Sequence, residues 1–177
     1  SNMLQMLKLA FVFWLTTSIT TVFSQSNCSE LFFSEYIEGS GLNKGLEIYN
    51  PSMNTIDLSN YSIKVFTNGN ANAGITIPLT GTLDGDSVYV VTHSGATAAL
   101  KDSADLTSGA LTFNGDDAVA LVSTTDTVDV IGIIGTDPGS AWSSGGVSTQ
   151  NQTILRNSTV QVGIGNDSTS FDPSIEW

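Results

Sequence analysis

Acidic side chains recur in the turns of this chain: "LDGD" holds Asp84 and Asp86, "NGDD" holds Asp116 and Asp117, and "GTDPG" holds Asp137. Carboxylates and loop carbonyls are the hard oxygen ligands that calcium takes, which makes Asp84, Asp86, Asp116 and Asp117 the candidate metal ligands. None of these runs has the spacing of an EF-hand loop. A plainer use is open to each, since Asp and Asn in a turn cap their own backbone. Other chemistries fall away by count. His93 is the single histidine, so multi-histidine zinc sites are excluded and a Ser-His-Asp hydrolase would need His93 as its base. Ser94 beside it is explained as a helix cap, because neighbours at a strand end point apart. "GIGND" lacks the lysine and the strand-to-helix setting of a phosphate loop. A glycosidase needs only two carboxylates, but sugar-cleaving clefts are usually lined by aromatics. Of the three tryptophans, Trp14 lies in an apolar leader and Trp177 is the last residue. No catalytic residue is assigned.

Binding candidates come from long polar loops instead. "TNGNANAG", with Asn68 and Asn70, and "WSSGGVSTQNQ", which opens on Trp142, are rich in Gly and Asn and suit contact with a protein or glycan. Trp142 is the one aromatic in such a loop, placed to stack on a sugar or anchor a partner, with capping of the core as its alternative use. In the first of these roles, Trp142→Ala is expected to cost no more than about 1 kcal/mol of stability.

The elements that position these loops read as strands. From Leu31 onward, short runs such as "LFFSEYI", "GLEIYN", "YSIKVF", "GITIPL", "SVYVVT", "ALTF", "AVALV" and "VDVIGIIG" alternate or stay apolar, and Gly, Asn, Asp and Ser bound them. Strands at this spacing imply a sandwich or barrel. Residues 94–106 are the one expected helix, capped by Ser94, and residues 143–152 a polar loop before the strand-like "TILRN". The first two strands place Glu35 and Glu47 on neighbouring strands. Should the register bring the carboxylates together, they need a proton, a cation or Lys44 between them.

A formal charge of −12 argues against a nucleic acid partner. "MLKLAFVFWLTTSITTVF" reads as a secretory signal peptide behind a tag-like Ser1-Asn2, with cleavage expected after Ser24 and a short tail over residues 25–30. The apolar run is broken by hydroxyl residues and too short for a stable membrane span. Gln25, Ser26 and Asn27 before Cys28 argue against lipidation, and a lone cysteine forms no internal disulfide.

The blocks "SEYIEGSGLNKGLEIYNPS", "IDLSNYSIKVFTNGN", "LDGDSVYVV", "LTFNGDDAVALV", "VDVIGIIGTDPGSAW", "QTILRN" and "SFDPSIEW" together resemble the bacterial lamin-tail domain over residues 31–177. The resemblance implies an all-β, immunoglobulin-like β-sandwich in which Glu35, Glu47 and Asn50 belong to the framework of the first hairpin. It also implies a non-catalytic module, of a kind often appended to exported hydrolases. The expected protein is thus a secreted, periplasmic or cell-surface interaction domain that binds a protein or glycan at the envelope. It needs no cofactor, calcium being the one candidate. The alternatives are a calcium-stabilised structural domain and a metal-dependent hydrolase accessory with a carboxylate site.

Overall fold

The computed structural model describes residues 30–165 and 170–177. The expected leader, its cleavage point and Cys28 lie outside the described residues. In chain order the elements are β1 (Phe32–Glu38), β2 (Lys44–Asn50), β3 (Ile56–Asp57), β4 (Tyr61–Phe66), β5 (Ile75–Pro78), β6 (Thr82–Leu83) and β7 (Ser87–His93). There follow α1 (Ala98–Lys101), β8 (Leu106–Ser108), β9 (Ala118–Ser123), β10 (Thr127–Ile131), β11 (Ser143–Ser144), β12 (Val147–Ser148), β13 (Gln152–Leu155) and α2 (Pro173–Glu176). A five-stranded sheet runs β13-β1-β2-β7-β8 and a four-stranded sheet β10-β9-β4-β5. All their pairings are antiparallel except β7 with β8.

Period-two alternation builds the core. Tyr36, Leu46, Ile48, Tyr89 and Val91 point inward from the larger sheet, and Ile63, Val65, Val119, Leu121 and Ile131 meet them from the smaller one. This is the immunoglobulin-like β-sandwich expected. Strand β9 is buried on both faces because a second layer covers the back of the smaller sheet. In that layer Trp142 packs with Phe66, Ala118, Ala120 and Val130.

Local expectations fail in three places. The helix over 94–106 shrinks to α1, with Thr97 rather than Ser94 at its N-cap. Asp105 ties the chain to β7, where its N–H donates to the Val90 carbonyl at 2.9 Å and its carboxylate accepts the Val90 N–H at 2.8 Å. The strand expected in "ALTF" does not form; residues 111–113 have no regular structure, and β8 lies before them, starting at the end of the stretch expected to be helical. Part of the polar loop 143–152 folds into a hairpin of β11 and β12 around Gly145 and Gly146, whose φ values of 57° and 90° require glycine in a two-residue turn.

The open side between β10 and β1 is closed by charge. Asp129 is fully buried on the core-facing register of β10, opposite Leu121. Its Oδ2 accepts the Phe33 N–H at 2.8 Å beside a bulge in β1, and its Oδ1 accepts the Ile164 N–H at 2.8 Å. Arg156, just past β13, pairs with Asp129 through both Nη atoms, donates to the Phe33 carbonyl at 3.1 Å and reaches Glu176 of α2 at 2.6 Å. Its guanidinium also lies over the rings of Phe32 and Trp177. Burial pushes the Asp129 carboxyl up, and the Arg156 charge pulls it back.

Removing either partner leaves a buried charge without its counterpart. Asp129→Leu and Arg156→Met are each expected to lose about 3–5 kcal/mol in urea unfolding. Because they break one interaction, the double variant is expected to lose clearly less than the sum of the two.

Candidate functional site

The strand directions gather the loops 39–43, 67–74, 94–97, 112–117 and 149–151 at one end of the sandwich. There a cleft of about 350 Å3 opens between the β1–β2 loop and the segment before β9, lined by Gly41, Leu42, Lys44, Thr112, Phe113, Asn114 and Asp117.

Its floor is charged. Glu38 and Lys44 are cross-strand partners at the mouth of the first hairpin. Both lie on the core side and are buried, and they form an ion pair. Lys44 Nζ also donates to the Gly39 carbonyl at 2.6 Å, and Glu38 accepts the Asn151 N–H. Asp117, 5% exposed, accepts the Asn68 N–H at 2.9 Å on one oxygen and the Asn114 N–H at 3.0 Å on the other. Beneath them the Tyr36 hydroxyl donates to the Thr149 carbonyl at 3.1 Å, and Phe113 packs on the Tyr36 ring at 5.0 Å. Burial, then the charges of Glu38, Asp117 and Asp116, hold the Tyr36 hydroxyl well above its ordinary range.

The candidate metal ligands separate into two groups. Asp116 and Asp117 flank the cleft end, where Asp116 Oδ1 is buried without a hydrogen-bond partner. Burial, then Asp117, raises the Asp116 carboxyl, with Asp137 adding to it. Asp84 and Asp86 lie at the opposite end, in the turn before β7. Asp84 accepts from the Thr55 hydroxyl at 2.8 Å and Asp86 from the Tyr49 hydroxyl at 2.7 Å. Asn50 anchors that end: it is fully buried, its amide donates to the carbonyls of Asn54 and Leu83, and its oxygen accepts the Ser52 N–H. Among the described residues no group of three or more His, Cys, Asp or Glu side chains is placed to hold a metal ion.

Asn68 and Asn70 are exposed at the cleft end, Asn68 with a left-handed φ of 49°. Trp142 is the correction. Of the two uses its loop position allowed, contact with a partner and capping of the core, the structure shows the second: the side chain is 7% exposed, packs edge-on against Phe171 at 6.0 Å and fills the second core layer. Gly132 makes this possible, since a Cβ there would fall 2.6 Å from the indole. His93 is buried, and its Nδ1 accepts the Gly95 N–H at 2.8 Å.

Sequence reasoning did not single out Lys44, Glu38 or Asn114 as site residues. The only available signal was the placement of Glu38 and Lys44 at the two mouths of one predicted hairpin, which is informative once the register is known. That register also pairs Glu35 with Glu47 on the outer face. Lys44 does not lie between them. Glu47 takes the Ser34 hydroxyl at 2.7 Å, and burial, then Glu47, raises the Glu35 carboxyl above its ordinary 4.5.

Two outcomes follow from this geometry. Trp142→Ala is expected to lose about 3–5 kcal/mol in denaturant unfolding, the cost of emptying an aromatic core site. An acid whose folded pKa is raised destabilises the fold once it ionises. The penalty therefore grows as pH rises from 4.5 and is complete above the raised folded value. Glu35→Gln is expected to raise Tm at pH 7 and to leave it unchanged well below pH 4.5, read by melting across that range.

The family model described as Lamin Tail Domain matches residues 24–135. The match takes in β1 to β10, whereas Trp142, β13, Arg156 and α2 lie beyond it. No curated protein matches the chain.

Proposed function

Because this chain belongs to the lamin tail domain family, we propose that it is a non-catalytic interaction module, secreted or held at the cell envelope, that binds a protein or glycan through the loop end of its sandwich. It would stand alone or serve as the accessory domain of an exported hydrolase. The observation that carries this reading is the state of the charges around the cleft. Glu38 is committed to Lys44, and both Asp117 oxygens accept backbone N–H groups. His93 is buried with Nδ1 occupied. Groups held in this way keep their geometry and shape a surface, which suits recognition. The charge of −12 supports a partner other than nucleic acid. No described helix is long and apolar enough to cross a membrane.

The test compares the two ends of the sandwich. Fluorescently tagged protein is expected to bind cell-envelope preparations. Leu42→Glu combined with Asn114→Ala, both at the cleft, is expected to weaken that binding about tenfold or more. Met53→Glu, 90% exposed at the opposite end, is expected to leave it unchanged. No binding, or equal loss from both variants, would overturn the reading.

One observation favours a second reading, a calcium ion held at the cleft end. Asp116 Oδ1 is buried without a partner, and since no three acids of the described residues converge there, loop carbonyls would have to supply the remaining ligands. Such an ion would raise Tm in millimolar calcium relative to EDTA. Asp116→Asn would abolish the rise, and an identical melt in both conditions would dismiss calcium.

A further inference from the structure

We propose that the cleft between the β1–β2 loop and the segment before β9 is a saccharide site, and that it takes neutral, polyhydroxylated sugars in preference to anionic ones. This rests on reading the loop end as the binding surface and names the ligand class for it. The cleft, at about 350 Å3, falls within the size range of small-ligand pockets.

Its polar groups offer both halves of a hydrogen bond. An ammonium has three N–H donors. Lys44 Nζ directs donors at Glu38 and at the Gly39 carbonyl, and one remains for a ligand. Each Asp117 oxygen accepts one backbone N–H and keeps lone-pair capacity. The Asn114 side-chain amide has no partner among the described residues and is exposed at the rim. A sugar hydroxyl donates and accepts at once, so adjacent hydroxyls fit a lysine, a carboxylate and an amide side by side. The walls suit the rest of the ring. Leu42 is 49% exposed, and Phe113 is held rigidly against Tyr36. Phe113 is itself 4% exposed, so it backs the cleft from the core and Leu42 supplies the apolar contact to a C–H face.

Charge sets the preference. Lys44 is neutralised by Glu38, which leaves Asp117 in the lining, with Asp116 adjacent to it, as the uncompensated charges near the cleft. A carboxylate or phosphate would have to be desolvated against them.

The 15N-labelled full chain is titrated with galactose, N-acetylglucosamine and glucuronate, and amide shifts are followed. The expected result is saturable shifts at Leu42, Thr112 and Asn114 with at least one neutral sugar at about 1–10 mM, and binding of glucuronate several-fold weaker. Asn114→Ala is expected to weaken binding about fivefold, the worth of one hydrogen bond. Lys44→Met is made together with Glu38→Gln, so that neither charge is left buried alone, and this pair is expected to abolish binding while the spectrum stays dispersed. Absence of saturable shifts at the cleft with every sugar, shifts confined to other loops, or glucuronate bound as tightly as the neutral sugars would each overturn the inference. Envelope binding lost through the cleft variants without any response to sugars would overturn the saccharide site alone. Absence of envelope binding would overturn the broader reading.

Discussion

A carboxylate at the centre of an apolar register constrains the whole molecule. Asp129 occupies a position where alternation along β10 calls for a core residue, and a buried charge is tolerated only with partners on every side. Those partners come from distant parts of the chain: the bulge of β1, the backbone at Ile164, and Arg156 after β13. Arg156 brings in α2 through Glu176, so all five of its N–H donors are used. A sandwich of two open sheets has unprotected sides, and hydrophobic contact alone fixes them loosely because it has no direction. The bidentate pair has direction. It sets where the edge of the smaller sheet sits against β1, and it ties the chain after β13 to strands laid down more than a hundred residues earlier.

That constraint separates the two ends of the molecule. With the side of the sandwich closed by Arg156, the first hairpin is held rigidly, and its loop can project without taking the strands with it. At one end Asn50 draws the surrounding turns inward around its amide, which leaves Asp84 and Asp86 as ordinary turn formers bonded to Thr55 and Tyr49. At the other end Asp117 performs the same service for the loops holding Asn68 and Asn114, but its neighbours Lys44 and Leu42 face an open cleft. The asymmetry comes from the Glu38–Lys44 pair, which occupies the core side of the hairpin mouth where an apolar pair would have sealed the end.

Strands and turns were legible because they depend on local rules. Period-two alternation marked β1, β2, β4 and β7, a short apolar run marked β9, and Asn, Asp and Gly marked the turns between them. Properties set by distant contacts were not legible. "AALK" has helical propensity and remains helical for only four residues, because Asp105 is needed at the edge of β7. Trp142 sits among serines and glycines, which is the composition of a loop. Only the fold reveals that the back of the smaller sheet needs an aromatic cover and that Gly132 leaves room for it. Asp129 and Arg156 looked like ordinary charges in "VDV" and "LRN", because a buried ion pair has no signature within either segment. The metal candidates divide between the two ends for a related reason: turn chemistry selects Asp at both ends of a sandwich, and sequence does not say which turns share an end.

The cleft gains its chemical character from what its charges have already given up. In a chain this acidic, an uncommitted carboxylate would attract any cation and discriminate little. Glu38 and Asp117 instead hold their geometry through backbone and lysine partners, so the directions of their remaining lone pairs are fixed before a ligand arrives. Preorganised groups lose little entropy on binding, and a shallow cleft needs this advantage because it buries too little area to offset the ordering of its own loops. The same fixity works against catalysis, which requires a group that changes protonation or forms a bond during turnover. A floor of satisfied charges beneath a rim of Leu42 and Asn114 therefore suits selective, reversible contact, and it ties the loop end of the sandwich to the same hairpin that the Arg156 network holds in place.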